Sequence, residues 1–174
     1  ALESIKQKAN RRAGYYNELK ALTTDYLKIQ LTVSVKEGRT MLRGIDDIQI
    51  LLDEQTNKLQ GILSNPVTAT DNKLKLEAKQ SNDRLKNAQL VLEEVVKFQL
   101  SYLYLEPIFS GGEVNKALIN EKKDFDKVNT FWTNFMETLE NVSFSLGEFL
   151  DKDTQVNKQL ETNNKQLGDI IKSL

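Results

Sequence analysis

The chain has 174 residues, which is enough for one domain with a hydrophobic core. Charged residues make up 28% of it and leave a formal net charge of −1, so no strong basic field is available to attract nucleic acid or anionic lipid. The absence of cysteine excludes disulfides and thiol chemistry, and the absence of histidine removes the commonest general base and metal ligand. No apolar run is long enough to span a bilayer, and no apolar leader is present. Because the sequence begins at Ala1 rather than at a methionine, we expect a piece of a longer protein.

The first predicted element is a helix over residues 2–25. One of its faces is apolar and carries Leu2, Ile5, Ala9, Ala13, Tyr16, Leu19 and Leu22. The period then changes to two, because apolar and polar residues alternate strictly over residues 28–36. Glu37-Gly38 is a turn signal, so we expect a β-hairpin at about residues 28–44. An isolated hairpin is marginal in water, and the alternating apolar side chains should therefore face helices: Ile29, Leu31, Val33 and Val35.

Two helices are predicted next, over residues 46–63 and 71–105. Asp46 or Asp47 is the expected N-cap of the first, and residues 67–71 are expected to be a short polar connection. Thr70 or Asp71 should cap the second helix, which should end before Pro107 because proline disfavours helical backbone at the residue before it. Its apolar seam recurs in steps of four and three at Leu74, Ala78, Ser81, Leu85, Ala88, Leu92, Val95, Gln99 and Leu103.

Beyond Gly111-Gly112, helices are predicted over residues 113–140 and 154–174, with a short helix or a tucked loop at 141–152 between them. The first has a bulky seam formed by Val114, Leu118, Glu121, Phe125, Val128, Trp132, Phe135 and Leu139. Asn163 and Asn164 interrupt the thinner face of the last helix, formed by Val156, Leu160, Leu167, Ile171 and Leu174. The predicted fold class is mainly α: an elongated bundle of long antiparallel helices with one small β-hairpin, in which residues 1–174 form a single fragment.

Acidic residues offer the first candidate for a chemical site. Asp46, Asp47, Asp53 and Glu54 permit two interpretations, a divalent-metal or hydrolytic acid–base site, and helix caps with solvated surface. The second is favoured because acidic residues are common in first helical turns. Glu106 lies beside apolar residues, and we expect it to be partly buried in a structural ion pair rather than catalytic.

Aromatic residues offer the second candidate. A base-stacking platform for nucleic acid would need a basic groove, which the sequence does not indicate, so a packed core is favoured for Tyr102, Tyr104, Phe109, Phe125, Phe131, Trp132 and Phe135. Glycine-rich phosphate-binding motifs are also missing from the sequence. We therefore predict no catalytic, cofactor-binding or metal-binding residue in this chain, and no bound cofactor.

Several motifs, in order, resemble the linker region of dynein heavy chains. Residues 102–110 read YLYLEPIFS and are similar to the WLYLEPIFSS block of that family. Residues 36–49, KEGRTMLRGIDDIQ, followed by LLD at 51–53, resemble a second family motif. Trp132 and Met136 follow at a plausible spacing, and residues 167–174, LGDIIKSL, resemble the family's closing segment.

The resemblance implies a piece of the dynein linker, a mostly helical rod with a small β-hairpin that bends and straightens across the AAA+ ring. It implies a non-enzymatic, mechanical element that couples ATPase-driven changes of the ring to microtubule-based movement. The implied partners are the AAA+ ring of the same heavy chain, neighbouring linker segments and, indirectly, microtubules, with no nucleic acid and no membrane. The implied location is the cytoplasm and cytoskeleton, including the axoneme of a cilium or flagellum.

Joints of such a lever are expected where the helical periodicity breaks, at residues 64–70, 110–112 and 141–152. The alternative function is a non-enzymatic helical adaptor that binds a partner helix along residues 71–105. The hairpin distinguishes the two, because a simple adaptor has no need of a two-stranded element between its helices.

Overall fold

The computed structural model describes residues 2–36, 39–110, 118–152 and 154–174, and the side chains of these ranges except at 2–4, 36 and 39. This part of the chain forms helices and one antiparallel hairpin, in the order α1 (Leu2–Lys28), β1 (Thr32–Lys36), β2 (Arg39–Arg43), α2 (Ile45–Leu63), α3 (Pro66–Thr70), α4 (Asn72–Ser110), α5 (Ile119–Asn141), α6 (Leu146–Lys152) and α7 (Val156–Ser173). The predicted fold class, mainly α with one small β-hairpin, is confirmed. Among the residues described, no helix combines the length and the apolar character that crossing a membrane requires.

The chain divides into two compact units. Unit 1 comprises Ala1–Ile29 and Asp46–Gln89, and unit 2 comprises Gln30–Ile45 and Leu90–Leu174. Helix α4 contributes residues 72–89 to unit 1 and residues 90–110 to unit 2. That residues 1–174 form a single fragment stays a prediction.

Unit 1 has an all-helical core. Its buried side chains include Leu19, Leu22, Tyr26, Ile48, Leu52, Leu59, Ile62, Val67, Leu74, Ala78, Leu85 and Ala88. The apolar face predicted for α1 is wrong in its first half, because residues 5–14 are exposed and Ile5 is exposed by 67%. Ala9 and Ala13 offer little apolar area to hold that part of the helix against a neighbour. The face is correct from Leu19 onward, and α1 continues to Lys28 instead of ending at 25.

Two predictions about the connections in unit 1 are wrong. Helix α2 begins at Ile45, after Gly44 with a positive φ of 69°, so Asp46 and Asp47 lie in its first turn instead of at its N-cap. Residues 67–70 of the expected polar connection at 67–71 form α3 together with Pro66 instead. Asn65 caps this helix by accepting a hydrogen bond from the Val67 N–H at 3.0 Å, and proline at the first helical position suits such a start.

Unit 2 contains the hairpin, α5, α6, α7 and the second half of α4. The predicted end of α4 at 105 is wrong, because the helix continues to Ser110 with Pro107 inside it. Leu105 and Phe109 are both buried, and this packing keeps the backbone helical against a local proline cost of about 3 kcal/mol. The seam prediction also fails at Leu103, which is 41% exposed. The buried row continues instead through Phe98, Tyr102, Leu105 and Phe109.

The bulky seam of α5 is confirmed from Phe125 onward, where Phe125, Val128, Trp132, Phe135 and Leu139 are buried. Leu118 and Glu121 of the same predicted seam are half-buried. Val114, Gly111-Gly112 and the predicted helix start at 113 lie outside the described residues. The short helix expected in 141–152 is present as α6. Helix α7 begins at Val156 instead of 154, and Val156, Leu160 and Leu167 are buried as predicted. Near its end the buried residue is Ile170 and not Ile171, and Leu174 is 48% exposed, so its predicted place on the apolar face is wrong.

The hairpin pairs Thr32 with Arg43 at one end and Lys36 with Arg39 at the other. Ile29 and Leu31 are buried as predicted, whereas Val35 is 70% exposed and its predicted burial is wrong. Val33 and Ser34 are both half-buried, so within β1 burial does not alternate as the sequence pattern predicted, and it decreases towards Val35. The turn predicted at Glu37-Gly38 lies outside the described residues.

Candidate functional site

Side chains from α4 and α5 hold the hairpin by its backbone. The Gln99 amide accepts a hydrogen bond from the Leu42 N–H at 2.6 Å and donates one to the Leu42 carbonyl oxygen at 3.0 Å. The Trp132 indole donates to the Thr40 carbonyl oxygen at 3.3 Å. Gln99 and Trp132 therefore bind the outer edge of β2 as a neighbouring strand would, and we call these two side chains the hairpin clasp.

Beneath the clasp lies a cluster of aromatic rings. Phe98 and Trp132 stack with centroids 4.8 Å apart, and Phe109 stacks on Phe125 at 5.1 Å. The Tyr102 hydroxyl lies 2.7 Å from Asn129 Oδ1 and donates to it. Of the aromatic residues predicted to be core, Tyr102, Phe109, Phe125, Trp132 and Phe135 are buried. Phe131 is half-buried and Tyr104 is 57% exposed, so for Tyr104 the prediction of burial is wrong.

A strained turn follows α5. Ser143 and Phe144 both have positive φ, 54° and 59°, a conformation that costs non-glycine residues about 1–2 kcal/mol each. The turn is fixed by hydrogen bonds at both ends: the Phe144 N–H donates to the Leu139 carbonyl oxygen at 2.8 Å, and the Phe144 carbonyl oxygen accepts from the Leu31 N–H at 2.8 Å. It lies inside the predicted joint at 141–152, and neither of its two positive-φ positions is a glycine that would have indicated it in the sequence.

In unit 1, Asp71 organises the corner between α3 and α4. One of its carboxylate oxygens accepts hydrogen bonds from the N–H groups of Lys73 and Leu74, both at 3.1 Å, so Asp71 caps α4 as predicted. The Tyr16 hydroxyl donates to the same carboxylate at 3.1 Å, and Arg12 Nε lies 3.3 Å from it. This corner follows the predicted joint at 64–70 and links α1 to the start of α4.

These contacts shift the pKa of two groups. The hydrogen bond from the Leu74 N–H lowers the pKa of the Asp71 carboxyl, and the Tyr16 hydroxyl and the Arg12 guanidinium act in the same direction. Burial raises the pKa of Tyr16, and its hydrogen bond to Asp71 adds to that rise. Both shifts favour the ionised carboxylate paired with the neutral phenol, which is the arrangement that holds the corner together.

The acidic residues proposed as an alternative chemical site lie on the surface of α2. Asp46 and Asp47 are exposed, and Asp53 accepts a hydrogen bond from Gln89 at 2.6 Å. Within the described ranges, no group of three or more acidic residues could hold a metal ion. Glu106 is half-buried, as predicted, beside an open groove of about 430 Å³. That the chain has no catalytic, cofactor-binding or metal-binding residue stays a prediction.

Comparison with known proteins identifies the family. The profile described as "Dynein heavy chain, N-terminal region 2" matches residues 1–174. The chain belongs to this dynein heavy chain family. It is similar to mouse dynein axonemal heavy chain 3, with 26% identity over 181 residues that cover 98% of the chain and 4% of the relative. It is also 30% identical over 116 residues to mouse dynein axonemal heavy chain 12, covering 66% of the chain and 4% of that relative.

A further match is to a cytoplasmic dynein heavy chain of Paramecium tetraurelia, 30% identical over 98 residues that cover 56% of the chain and 2% of the relative. The chain thus spans only about 4% of the length of the first curated dynein relatives it matches. The YLYLEPIFS block that resembled the dynein linker forms the last turns of α4, where Tyr102, Leu105 and Phe109 are buried. This block therefore has a structural role in packing unit 2.

Proposed function

We propose that residues 1–174 form a mechanical part of a dynein heavy chain, within the linker that acts as the lever of the motor. The observation that carries the proposal is the family match over the whole chain, together with the linker-like motifs at residues 36–53 and 102–110. In this role the segment couples ATPase-driven changes of the AAA+ ring to movement along microtubules. It performs no reaction itself.

The helices supply features that a lever needs. Helix α4 comprises 39 residues, of which 72–89 belong to unit 1 and 90–110 to unit 2. Candidate joints lie at the Asp71 corner, which directly precedes α4 in sequence, and at the Ser143–Phe144 turn, which follows α5. The turn stores backbone strain, a property that clusters in switch regions of proteins. Long helices joined by a few strained or polar connections are suited to transmitting force, which supports a mechanical role over a catalytic one.

The proposed partners are the AAA+ ring of the same heavy chain and neighbouring linker segments, with microtubules reached indirectly. An apolar strip on the outer face of α4 supports such contacts, since Leu100 is 67% exposed, Tyr104 57% and Ile108 37%. The proposed location is the cytoskeleton of the cytoplasm, and specifically the axoneme, because relatives at 26–30% identity are named axonemal heavy chains. The hairpin clasp argues against a simple helical adaptor, which has no use for a β-hairpin fixed by two helices.

The test measures microtubule gliding and ATP turnover separately in a heavy chain that carries this segment. Phe98 is fully buried and stacks on Trp132, so Phe98→Ala should lower the free energy of unfolding of unit 2 by about 3–5 kcal/mol. We expect microtubule gliding speed to fall several-fold while ATP turnover stays near that of the unmodified motor. Glu161→Ala, an exposed substitution on α7, is the control and should change neither rate.

Equal loss of gliding and ATP turnover in the Phe98→Ala motor would contradict a purely mechanical role. A second measurement addresses the absence of chemistry directly. The 174-residue chain alone should neither bind ATP in a calorimetric titration nor hydrolyse it. Measurable turnover that disappears on substitution of an acidic residue of α2 would overturn the non-enzymatic assignment.

A further inference from the structure

The two edges of the hairpin differ. In an antiparallel pair, residues alternate between those that bond the partner strand and those whose N–H and C=O point away from it. Both backbone groups of Leu42 bond the Gln99 side chain, so Leu42 points away from β1. Its cross-strand partner is Val33, and by the same register Val35 is opposite Thr40. Val33 and Val35 therefore direct their N–H and C=O groups away from β2.

The clasp covers the outer edge of β2, because Gln99 takes both groups of Leu42 and Trp132 binds the Thr40 carbonyl oxygen. Along β1 the outward row consists of Leu31, Val33 and Val35. Leu31 N–H donates to the Phe144 carbonyl oxygen, and Gln30 and Ser145 form an isolated antiparallel bridge. This pairing is the beginning of a third strand, but it stops there among the residues described.

Val33 and Val35 thus present two outward backbone donors and two acceptors at an open strand edge. Val35 is 70% exposed and Val33 is half-buried, so the edge is accessible. Folded proteins generally cover, charge or pair such an edge, since it templates the addition of another strand. The described part of this chain covers β2 and leaves β1 open.

We propose that β1 accepts a third strand from another part of the same heavy chain, outside residues 1–174. The proposal rests on the proposed function in one respect: the segment works within a longer chain, as it does in relatives of which it spans about 4%. A tethered strand has a high effective concentration, so four hydrogen bonds and a small apolar contact are sufficient to hold it. The added strand would pair with β1 next to the position that Phe144 already occupies.

A second copy of this chain is a poorer occupant. Two β1 edges could pair antiparallel only through Val33 and Val35, because the Leu31 position is occupied by Phe144. Four hydrogen bonds over two residues a side bury far less than the roughly 1,200 Å² that a stable dimer needs. The side chains of Val33 and Val35 lie on one face of the hairpin, so the incoming strand should carry apolar, β-branched residues at alternate positions.

Residue-resolved hydrogen exchange tests this proposal without any substitution. We expect the Val33 and Val35 amides to exchange at least tenfold more slowly in the heavy chain that carries this segment than in the 174-residue chain alone. The Ser34 amide points towards β2 and should be protected in both, which confirms that the hairpin is formed in each sample. Equal exchange of Val33 and Val35 in the two samples overturns the proposal, as does protection that appears in the isolated chain as its concentration is raised.

Substitutions at Val35 provide a second test of strand addition to β1. Val35→Pro removes an outward N–H that makes no bond to β2, so the hairpin should form and Ser34 should stay protected. In the heavy chain, Val33 should then lose its protection, whereas the matched variant Val35→Thr keeps the N–H and should retain it. Protection of Val33 in the Val35→Pro heavy chain contradicts strand addition. If the Val33 and Val35 amides exchange freely in an unmodified motor that still moves microtubules, strand addition is contradicted. The proposed mechanical function is not affected by that result.

Discussion

Replacing Gln99 tests whether the hydrogen bonds of the clasp stabilise unit 2 beyond what the packing of this side chain contributes. Gln99→Leu keeps most of the volume but leaves the N–H and C=O of Leu42 without their partners. Leu42 is only 4% exposed, and an unpaired buried backbone group costs about 1–3 kcal/mol. Two such groups lose their partners, and Gln99 is half-buried, so some water can reach them. We therefore expect the lower part of the range for two groups, a decrease of about 2–4 kcal/mol in the free energy of unfolding.

Gln99→Glu adds a test with a pH dependence. The introduced carboxylate can accept from the Leu42 N–H but cannot donate to the Leu42 carbonyl oxygen, so folding disfavours its charged form and raises its pKa. A group whose pKa is higher in the folded state contributes stability below its unfolded pKa and loses it as pH rises through the folded pKa. The loss of stability in Gln99→Glu, relative to the unmodified chain, should therefore be large at neutral pH. It should become smaller as pH falls towards about 4, where the protonated carboxyl group can donate to the Leu42 carbonyl oxygen.

Urea unfolding followed by tryptophan fluorescence measures both variants. Trp132 is the single tryptophan of the chain, and it belongs to the clasp in unit 2, so its signal reports the affected unit. Gln159 is exposed on α7 of the same unit, and Gln159→Leu and Gln159→Glu serve as controls that should stay within about 0.5 kcal/mol of the unmodified chain. The reasoning fails if Gln99→Leu matches its Gln159 control, or if the loss of stability in Gln99→Glu is the same at pH 4 and pH 7.

Three more predictions concern the other sites. Ser143→Gly should stabilise unit 2 by about 0.5–1 kcal/mol because glycine adopts positive φ without strain, while Ser143→Ala should leave urea stability unchanged; equal effects of the two would reject strain at this turn. Asn164→Ala should lower the free energy of unfolding by about 1 kcal/mol in the same assay, since Asn164 donates to the Glu94 backbone and side chain. Asn163→Ala removes only a solvent-exposed hydrogen bond to the Gln159 carbonyl oxygen of the same helix and should be near neutral, and an equal loss in the two variants would count against the prediction. Asp71 has a lowered pKa in the folded state, so its contribution is present above its unfolded pKa and is lost as pH falls through the folded pKa. Asp71→Ala should accordingly speed amide exchange at Leu74 at neutral pH and make little difference in acid, and a pH-independent effect would refute this linkage.

The periodic elements of this fold were predictable where they bury a single apolar face, which the exposed first half of α1 does not do. The seam from Leu74 to Val95 and the bulky seam from Phe125 to Leu139 repeat every three or four residues, and burial follows them closely. Tertiary packing decided the exceptions. Pro107 predicted a helix end that the burial of Leu105 and Phe109 overrides.

The candidate sites were harder to predict, because their chemistry joins residues far apart in sequence. Gln99 fitted the apolar seam only by its spacing, and nothing local indicated that its amide would bind Leu42, 57 positions earlier. The turn at Ser143–Phe144 lacks the glycine or asparagine that usually marks positive φ. Asp71 was identifiable as a cap from its position, but its partners Tyr16 and Arg12 were not.

The most direct test of the mechanical role is a chimeric motor. Residues 1–174 would replace the matching segment of mouse dynein axonemal heavy chain 3, to which 98% of this chain aligns. We predict that the chimera hydrolyses ATP and moves microtubules, whereas the same motor with an unrelated helical segment of equal length hydrolyses ATP without movement. Equal gliding speed with the unrelated segment, or ATP turnover without movement in the chimera itself, would contradict the account.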